Sequence, residues 1–333
     1  MRALLSTEAG GPETLAVGDI EEPVAGPGEV LVKVAGCAIN FPDALIIRDL
    51  YQFKPQRPFA PGGEVSGTIE AVGEEVEGWE PGDRVAAITI YGGLREKTAI
   101  AASRLFPVPD GIDLASAAAM PMTYVTALYA LRNRGELAAG DTLLVLGAAG
   151  GVGLAAVELG KYLGAQVIAA VSSEEKAQAA REAGADETVI YPSGPFDKDG
   201  SRALAAQFKD ACGPDGAQVI IDNVGGDYSE PALRAIGWEG RFLVVGFPAG
   251  IARLPLNLTL LKSCDVRGVF LGAFLDRQSS AATAMTGELF DLWKAGRIKP
   301  KISATYPLER AGEAIAALAD RKAVGKLLVR MDA

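Results

Sequence analysis

The stretch Leu146-Gly147-Ala148-Ala149-Gly150-Gly151-Val152-Gly153 decides the fold. It follows the apolar run Thr142–Leu146 (TLLVL) and opens a segment, 152–163, with helical patterning; a second apolar run, Gln166–Val171, closes the unit. Strand, glycine turn, helix and strand form the context that a dinucleotide fingerprint needs. The spacing is A-x-G-x-x-G, with Ala148 in the place of the first glycine. Gly150 would let the backbone approach a pyrophosphate, and Gly153 would let the helix pack closely on the strand. The helix N-terminus adds N–H groups and the positive end of its dipole. Such glycines also serve plain helix–sheet packing, but the agreement of the whole unit favours a dinucleotide.

Working outward, apolar runs at 188–191, 218–222, 241–246 and 266–271 join the two already named. A helical segment at 174–183, with Ser172-x-x-Glu175 as a capping box, separates the second run from the third. Continuous apolar strands separated by helices predict a parallel sheet covered on both faces, and six of them fit a doubly wound α/β domain. The first third differs. Runs at 30–34, 65–72 and 84–90 are punctuated by Gly26-Pro27-Gly28, Pro61-Gly62-Gly63 and Pro81-Gly82-Asp83, which predicts a small β barrel or sandwich. Residues 115–132 read as helical despite Pro121. The tail reads as helix at 283–295, strand at 302–306, helix at 308–320 and strand at Lys326–Arg330; it breaks the βα repeat and is assigned to the first domain. The expected division is 1–119 completed by 272–333, with 120–271 as the nucleotide domain.

Composition narrows the chemistry. The 333 residues carry 32 Lys and Arg against 42 Asp and Glu, a formal charge of −10, which disfavours a nucleic-acid partner. There is no histidine. That excludes Ser-His-Asp and Cys-His catalysis and every His-ligated metal. Cys37, Cys212 and Cys264 are far apart and form no CxxC pair, so reduced thiols in a cytoplasmic protein are expected. Residues 1–8 are too polar for a secretory signal, and no run reaches membrane-spanning length, so no membrane association is expected.

An NAD-preferring site places an acid at the end of the second strand, for the ribose 2′-OH. Here Ala170-Val171-Ser172-Ser173 stands there, followed by Lys176, which suits a 2′-phosphate and favours NADPH. Ser172 could instead be an N-cap and Lys176 a solvated cation, and Glu174 and Glu175 lie close by.

Gly36-Cys37-Ala38-Ile39-Asn40-Phe41-Pro42-Asp43, Pro61-Gly62-Gly63-Glu64-Val65-Ser66-Gly67, Pro81-Gly82-Asp83-Arg84-Val85, the glycine loop and Gly325-Lys326-Leu327-Leu328-Val329 together resemble the medium-chain dehydrogenase/reductase superfamily. Within it they are most similar to the zinc-free quinone oxidoreductases, the zeta-crystallin-like branch. The resemblance spans nearly the whole chain. It implies a GroES-like β-rich catalytic domain beside the Rossmann domain, and a homodimer joined through the strand at 266–271. Gly63 stands where zinc-dependent members have a histidine ligand, Asn40 stands near a cysteine ligand's place, and the four-cysteine lobe is missing between Val85 and Lys97; no metal is expected. The resemblance also implies that Asn40, Asp43 and Tyr51 line the substrate cleft beside the nicotinamide. It places Lys176 and Tyr191 on the 2′-phosphate, with Ser172 as the small residue beside them, and Ala149, Gly150, Gly151, Val152 and Gly153 on the pyrophosphate. Thr126, Asn223, Gly246, Phe247, Phe270 and Lys326 fall at cofactor-contacting positions. Plainer readings stay open: Asn40 capping a turn, Asp43 orienting backbone groups, Tyr51 at a core edge, Phe247 and Phe270 in the sheet core.

Hydride attack on a simple ketone puts charge on oxygen at once, where a Lewis acid helps. A quinone or α,β-unsaturated carbonyl delocalises that charge, so hydrogen-bond donors suffice. A chain without histidine or zinc ligands is therefore expected to reduce conjugated acceptors. Asn40 would position the substrate or nicotinamide, and Tyr51 would donate to the developing oxyanion. Two rivals remain: an enoyl-CoA (enoyl-thioester) reductase, with Arg48, Lys54 and Arg57 available to phosphates, and a catalytically idle NADPH-binding protein. A short-chain dehydrogenase fails, because no tyrosine has lysine four residues on.

Overall fold

The computed structural model describes residues 1–331 and divides into two compact units. One comprises 1–122 with the chain from Phe274 on; the other is Thr123–Ala273.

The second unit is a six-stranded, all-parallel sheet of Thr142–Leu146, Gln166–Val171, Glu187–Ile190, Ala217–Asp222, Ile236–Val244 and Asp265–Gly268. Counted along the chain, their spatial order is 3-2-1-4-5-6, the doubly wound arrangement expected. The central strands Thr142–Leu146, Gln166–Val171 and Ala217–Asp222 are mostly apolar and buried because helices cover both faces. Leu144, Leu146, Ile168, Ile220 and Phe242 meet Phe208 and Leu233 in one core cluster. The order reverses between Thr142–Leu146 and Ala217–Asp222, and Asn223 Nδ2 ties the two strand ends by donating to Leu146 O at 3.0 Å.

The first unit is a seven-stranded sheet built on the long strand Glu29–Ile39. Glu64–Val72 pairs with it antiparallel, Arg84–Ile88 pairs with Glu64–Val72, and the last strand, Lys326–Arg330, pairs antiparallel with its far end. Ile302–Pro307 lies outside Lys326–Arg330 at the sheet edge. Residues from both ends of the chain thus share one core, with Val32, Ile39, Val65 and Leu94 packed among Ile315 and Val329.

The structure refines the helical reading of 115–132 and corrects several local expectations. Residues 115–132 are a 3-10 turn (Ser116–Ala119), then π-helical turns at Pro121–Val125 and Tyr129–Arg134 around one α turn. Pro121 has no N–H to give, and the next N–H, from Met122, donates to the Glu64 carboxylate at 2.6 Å. The cap of the helix Glu174–Glu182 is Ser173 and not Ser172: Ser173 Oγ accepts the Lys176 N–H. The apolar run at 266–271 is strand only as far as Gly268, and Leu271 opens a helix. The amphipathic helix Lys198–Cys212 was not anticipated. Its signal is Asp197 as N-cap and a buried stripe of Leu204, Ala205, Phe208, Ala211 and Cys212.

The two glycines of the nucleotide loop differ in kind. A Cβ on Gly153 would lie 2.2 Å from Gly147 O, whereas one on Gly150 would meet only Gly147 O at 3.5 Å. Gly153 is required by packing, and Gly150 faces open space. Gly153→Ala should therefore cost about 1–3 kcal/mol, while Gly150→Ala, at φ −75°, should leave stability nearly unchanged. Denaturant unfolding of the two variants checks this; equal losses would refute it.

Candidate active-site residues in the two units

In the nucleotide unit, Gly150 precedes the helix Gly151–Tyr162 and offers no side-chain cap, so the first-turn N–H groups of Gly151, Val152 and Gly153 open outward beside Ala149. At the strand-order reversal, Asp222 accepts the Val224 and Gly225 N–H groups, both at 2.8 Å, and burial raises its carboxyl pKa. This pins the turn that carries Asn223. Asn223 Oδ1 is buried and has no hydrogen-bond partner among the described residues. A Cβ on Gly246 would meet nothing closer than Asn223 O at 4.0 Å. An orphan acceptor, two open glycines and an uncapped helix start together fit a dinucleotide.

At the end of the second strand Ser172 is exposed, and Lys176 Nζ reaches Ser172 Oγ at 3.0 Å. Tyr191 follows the third strand and is nearly buried, with its ring 4.9 Å from that of Tyr228. Thr126 is buried in the α turn at Thr126–Leu128. Phe247 and Phe270 are 54% and 57% exposed, so neither belongs to the sheet core.

In the first unit, three residues far apart in sequence converge. Asn40 ends the long strand, Glu64 begins the strand paired to it, and Lys326 begins the last strand. Lys326 Nζ lies 2.6 Å from Asn40 Oδ1 and 2.9 Å from Glu64 Oε2, and Asn40 Nδ2 donates to Glu64 Oε2 at 2.9 Å. Glu64 is wholly buried, and Lys326 is 4% exposed. Glu64 was not singled out from sequence. Its signal was an acid inside a Gly-rich turn at the start of an apolar strand, read only for the missing histidine before it. Lys326, placed by the resemblance at the cofactor, has its ammonium held inside the first unit.

Asp43 lies in the first turn of the helix Phe41–Ile46, whose N-cap is Asn40. Its Oδ2 accepts the Asn40 N–H at 2.7 Å and its Oδ1 accepts the Gly62 N–H at 3.0 Å. It is fully buried, and burial pushes its carboxyl up to about 6 against the opposing pull of those two donors. It orients backbone. Tyr51 is half-buried, 5.9 Å from the Phe53 ring; burial, then the Asp43 charge, raises its hydroxyl pKa and keeps it protonated.

A zinc ion does not fit these residues. No histidine exists, Glu64 is engaged by Lys326, and burial holds the Cys37 thiol well above its ordinary pKa. No group of three or more metal-ligating side chains occurs among the described residues.

A Rossmann sheet with a nucleotide loop, and a β-rich unit completed by the C-terminal strand, define a dehydrogenase/reductase of the medium-chain type. Family models agree: residues 26–110 match the alcohol dehydrogenase GroES-like domain and 151–286 the zinc-binding dehydrogenase domain. The chain belongs to the medium-chain dehydrogenase/reductase family. It is 36% identical to quinone oxidoreductase-like protein 2 of Bos taurus, over 99% of this chain and 92% of that one. It is 36% identical to a quinone oxidoreductase of Pseudomonas aeruginosa, over 96% of each. The Escherichia coli quinone oxidoreductase, solved in complex with NADPH, superposes with a TM-score of 0.90 at 29% identity, covering 99% of this chain and all of that one.

The Asp43 carboxyl, at about 6 in the folded protein, lies above its ordinary unfolded value near 3.9. The folded state therefore holds the proton more tightly, so Asp43's stabilising contribution is complete below pH ~4 and is lost as pH rises through ~6. The stability of the wild type minus that of Asp43→Asn should fall across this window and level off above it. A difference that stays flat or rises in pH-resolved denaturant unfolding would refute this.

Proposed function

We propose that this chain is an NADPH-dependent reductase that delivers hydride to a quinone or an α,β-unsaturated carbonyl, without a metal. The observation that carries the cofactor choice is the end of the second nucleotide strand: a serine and a lysine 3.0 Å apart, where a ribose-binding acid would repel a 2′-phosphate. When bound, NADPH supplies the hydride. Gly150 and the start of the following helix receive the pyrophosphate, and Lys176 and Ser172 hold the 2′-phosphate, with Tyr191 behind them. Asn223, Gly246, Phe247, Phe270 and Thr126 are assigned to the rest of the cofactor.

The acceptor class follows from what the chain lacks and what it keeps. It has no histidine, and no zinc-ligand set occurs among the described residues, so charge developing on the acceptor is to be delocalised and met by a hydrogen bond. Tyr51, neutral at pH 7, is the donor. Two of the three cations that could hold a CoA phosphate are engaged locally: Arg48 donates to Ala44 O at 2.7 Å, and Arg57 pairs with Asp49 at 2.9 Å. This favours quinones and enones over enoyl-CoA.

NADPH oxidation followed without oxygen should favour an ortho-quinone or simple enone over a short enoyl-CoA by about tenfold or more in kcat/KM. NADPH should be preferred to NADH, Lys176→Ala should narrow that preference, and Tyr51→Phe should lower kcat. A tenfold lead for enoyl-CoA would make it a thioester reductase; NADPH binding without turnover would make it an idle binder.

The strand Asp265–Gly268 lies at the sheet edge with Val266 42% exposed, and Leu256, Leu260 and Leu261 on and beside the preceding helix are exposed too. We propose that this edge joins two copies. Light scattering should then give twice the 34.5 kDa chain mass, and a single-chain mass would refute it.

A further inference from the structure

The hydrogen-bonding capacity of Asn40 is almost used up inside its own unit. Its two amide hydrogens go to Ala38 O at 3.1 Å and Glu64 Oε2 at 2.9 Å. Its Oδ1 accepts from Lys326 Nζ at 2.6 Å. The partners are equally engaged. The three ammonium hydrogens of Lys326 have Asn40 Oδ1, Glu64 Oε2 and, at 3.3 Å, Ile39 O. Glu64 Oε1 accepts the Met122 N–H. What remains on Asn40 is one lone pair of Oδ1; the Asp43 N–H of the capping box lies beside it but donates to Asn40 O at 3.0 Å.

An asparagine amide can sit in two orientations that differ only by exchange of O and N. Here the Ala38 carbonyl favours one orientation, and charge fixes it. Turning the amide over would aim NH2 at an ammonium and C=O at a carboxylate, replacing two charge-assisted hydrogen bonds by two repulsions. A buried ion pair is a poor stabiliser, since an apolar pair of similar volume is often as good. Fixing a neighbouring group is a role that the apolar pair cannot take over.

We propose that Glu64 and Lys326 are positioning residues: their buried ion pair locks the Asn40 amide so that it presents a single acceptor and no donor. Asn40 then receives a hydroxyl or amide N–H from the bound substrate. It cannot donate to the developing oxyanion, which leaves that task to Tyr51. Lys326 acts through Asn40 and touches no phosphate. This inference rests on the reading above that Asn40 takes part in hydride transfer.

The test is Glu64→Gln with Lys326→Met, which removes both charges together and leaves the amide orientation to the Ala38 carbonyl and neutral neighbours alone. Turnover of NADPH with the best acceptor should fall about tenfold in kcat while the KM for NADPH stays within about twofold. In an Asn40→Ala background the same double substitution should cost less than about twofold, because the residue it positions is gone. Wild-type kcat in the double variant overturns the proposal. So does an undiminished loss in the Asn40→Ala background, which would mark a general structural role. Wild-type kcat in Asn40→Ala alone overturns the catalytic reading of Asn40, and this proposal with it. Should the double variant not fold, Lys326→Arg keeps the charge but moves its donors. The same kcat loss, absent in the Asn40→Ala background, is expected there, and wild-type kcat overturns the proposal.

Discussion

The first unit depends on a lysine and a glutamate that meet at 2.9 Å, 4% and 0% exposed. They come from strands separated by most of the chain, and between them they hold Asn40 at the end of the longest strand. Losing one partner would strand a buried charge, at a cost of about 3–5 kcal/mol. The pair therefore ties the closing strand, Lys326–Arg330, to the turn at Gly62-Gly63-Glu64. Asp43 works on the same turn from the other side by taking the Gly62 N–H. Glu64 also accepts the Met122 N–H at the start of the helical segment after Pro121.

In the nucleotide unit a neighbouring pair, Asp222 and Asn223, has a comparable role at the strand-order reversal. Asp222 is buried and anchors the turn after its strand through two backbone N–H groups. Asn223 bridges to the neighbouring strand end and keeps a buried acceptor unpaired. Leaving that atom unsatisfied costs free energy in the folded chain alone, and a ligand donor would recover it. Both units thus place their asparagines by carboxylates that sequence patterns treat as ordinary strand and turn residues.

Much of the nucleotide unit was legible in the sequence, because its signals are local. Apolar runs of strand length, glycines at required spacings and Ala-rich helices state their own structure, and the packing role of Gly153 followed from spacing alone. The errors have local physical causes as well. The cap moved from Ser172 to Ser173 because each can accept an N–H three residues on, and only backbone direction chooses. The helix Lys198–Cys212 was overlooked because polar residues dilute its apolar stripe. The segment at 115–132 is helical as its composition suggests, but its 3-10 and π turns could not be told from α-helix by composition.

The sequence by itself determined the fold class, the six-strand nucleotide sheet, the absence of histidine chemistry and the family's motifs. Each of these is written in periodicity, composition or short spacing. Only the tertiary structure decided that Asn40, Glu64 and Lys326 share one saturated hydrogen-bond network, that Asp43 braces backbone, and that Phe247 and Phe270 face outward. The physical reason is that hydrogen-bond capacity and exposure belong to groups that have been brought together. Partners 24 and 286 residues from Asn40 leave no mark in the spacing around it.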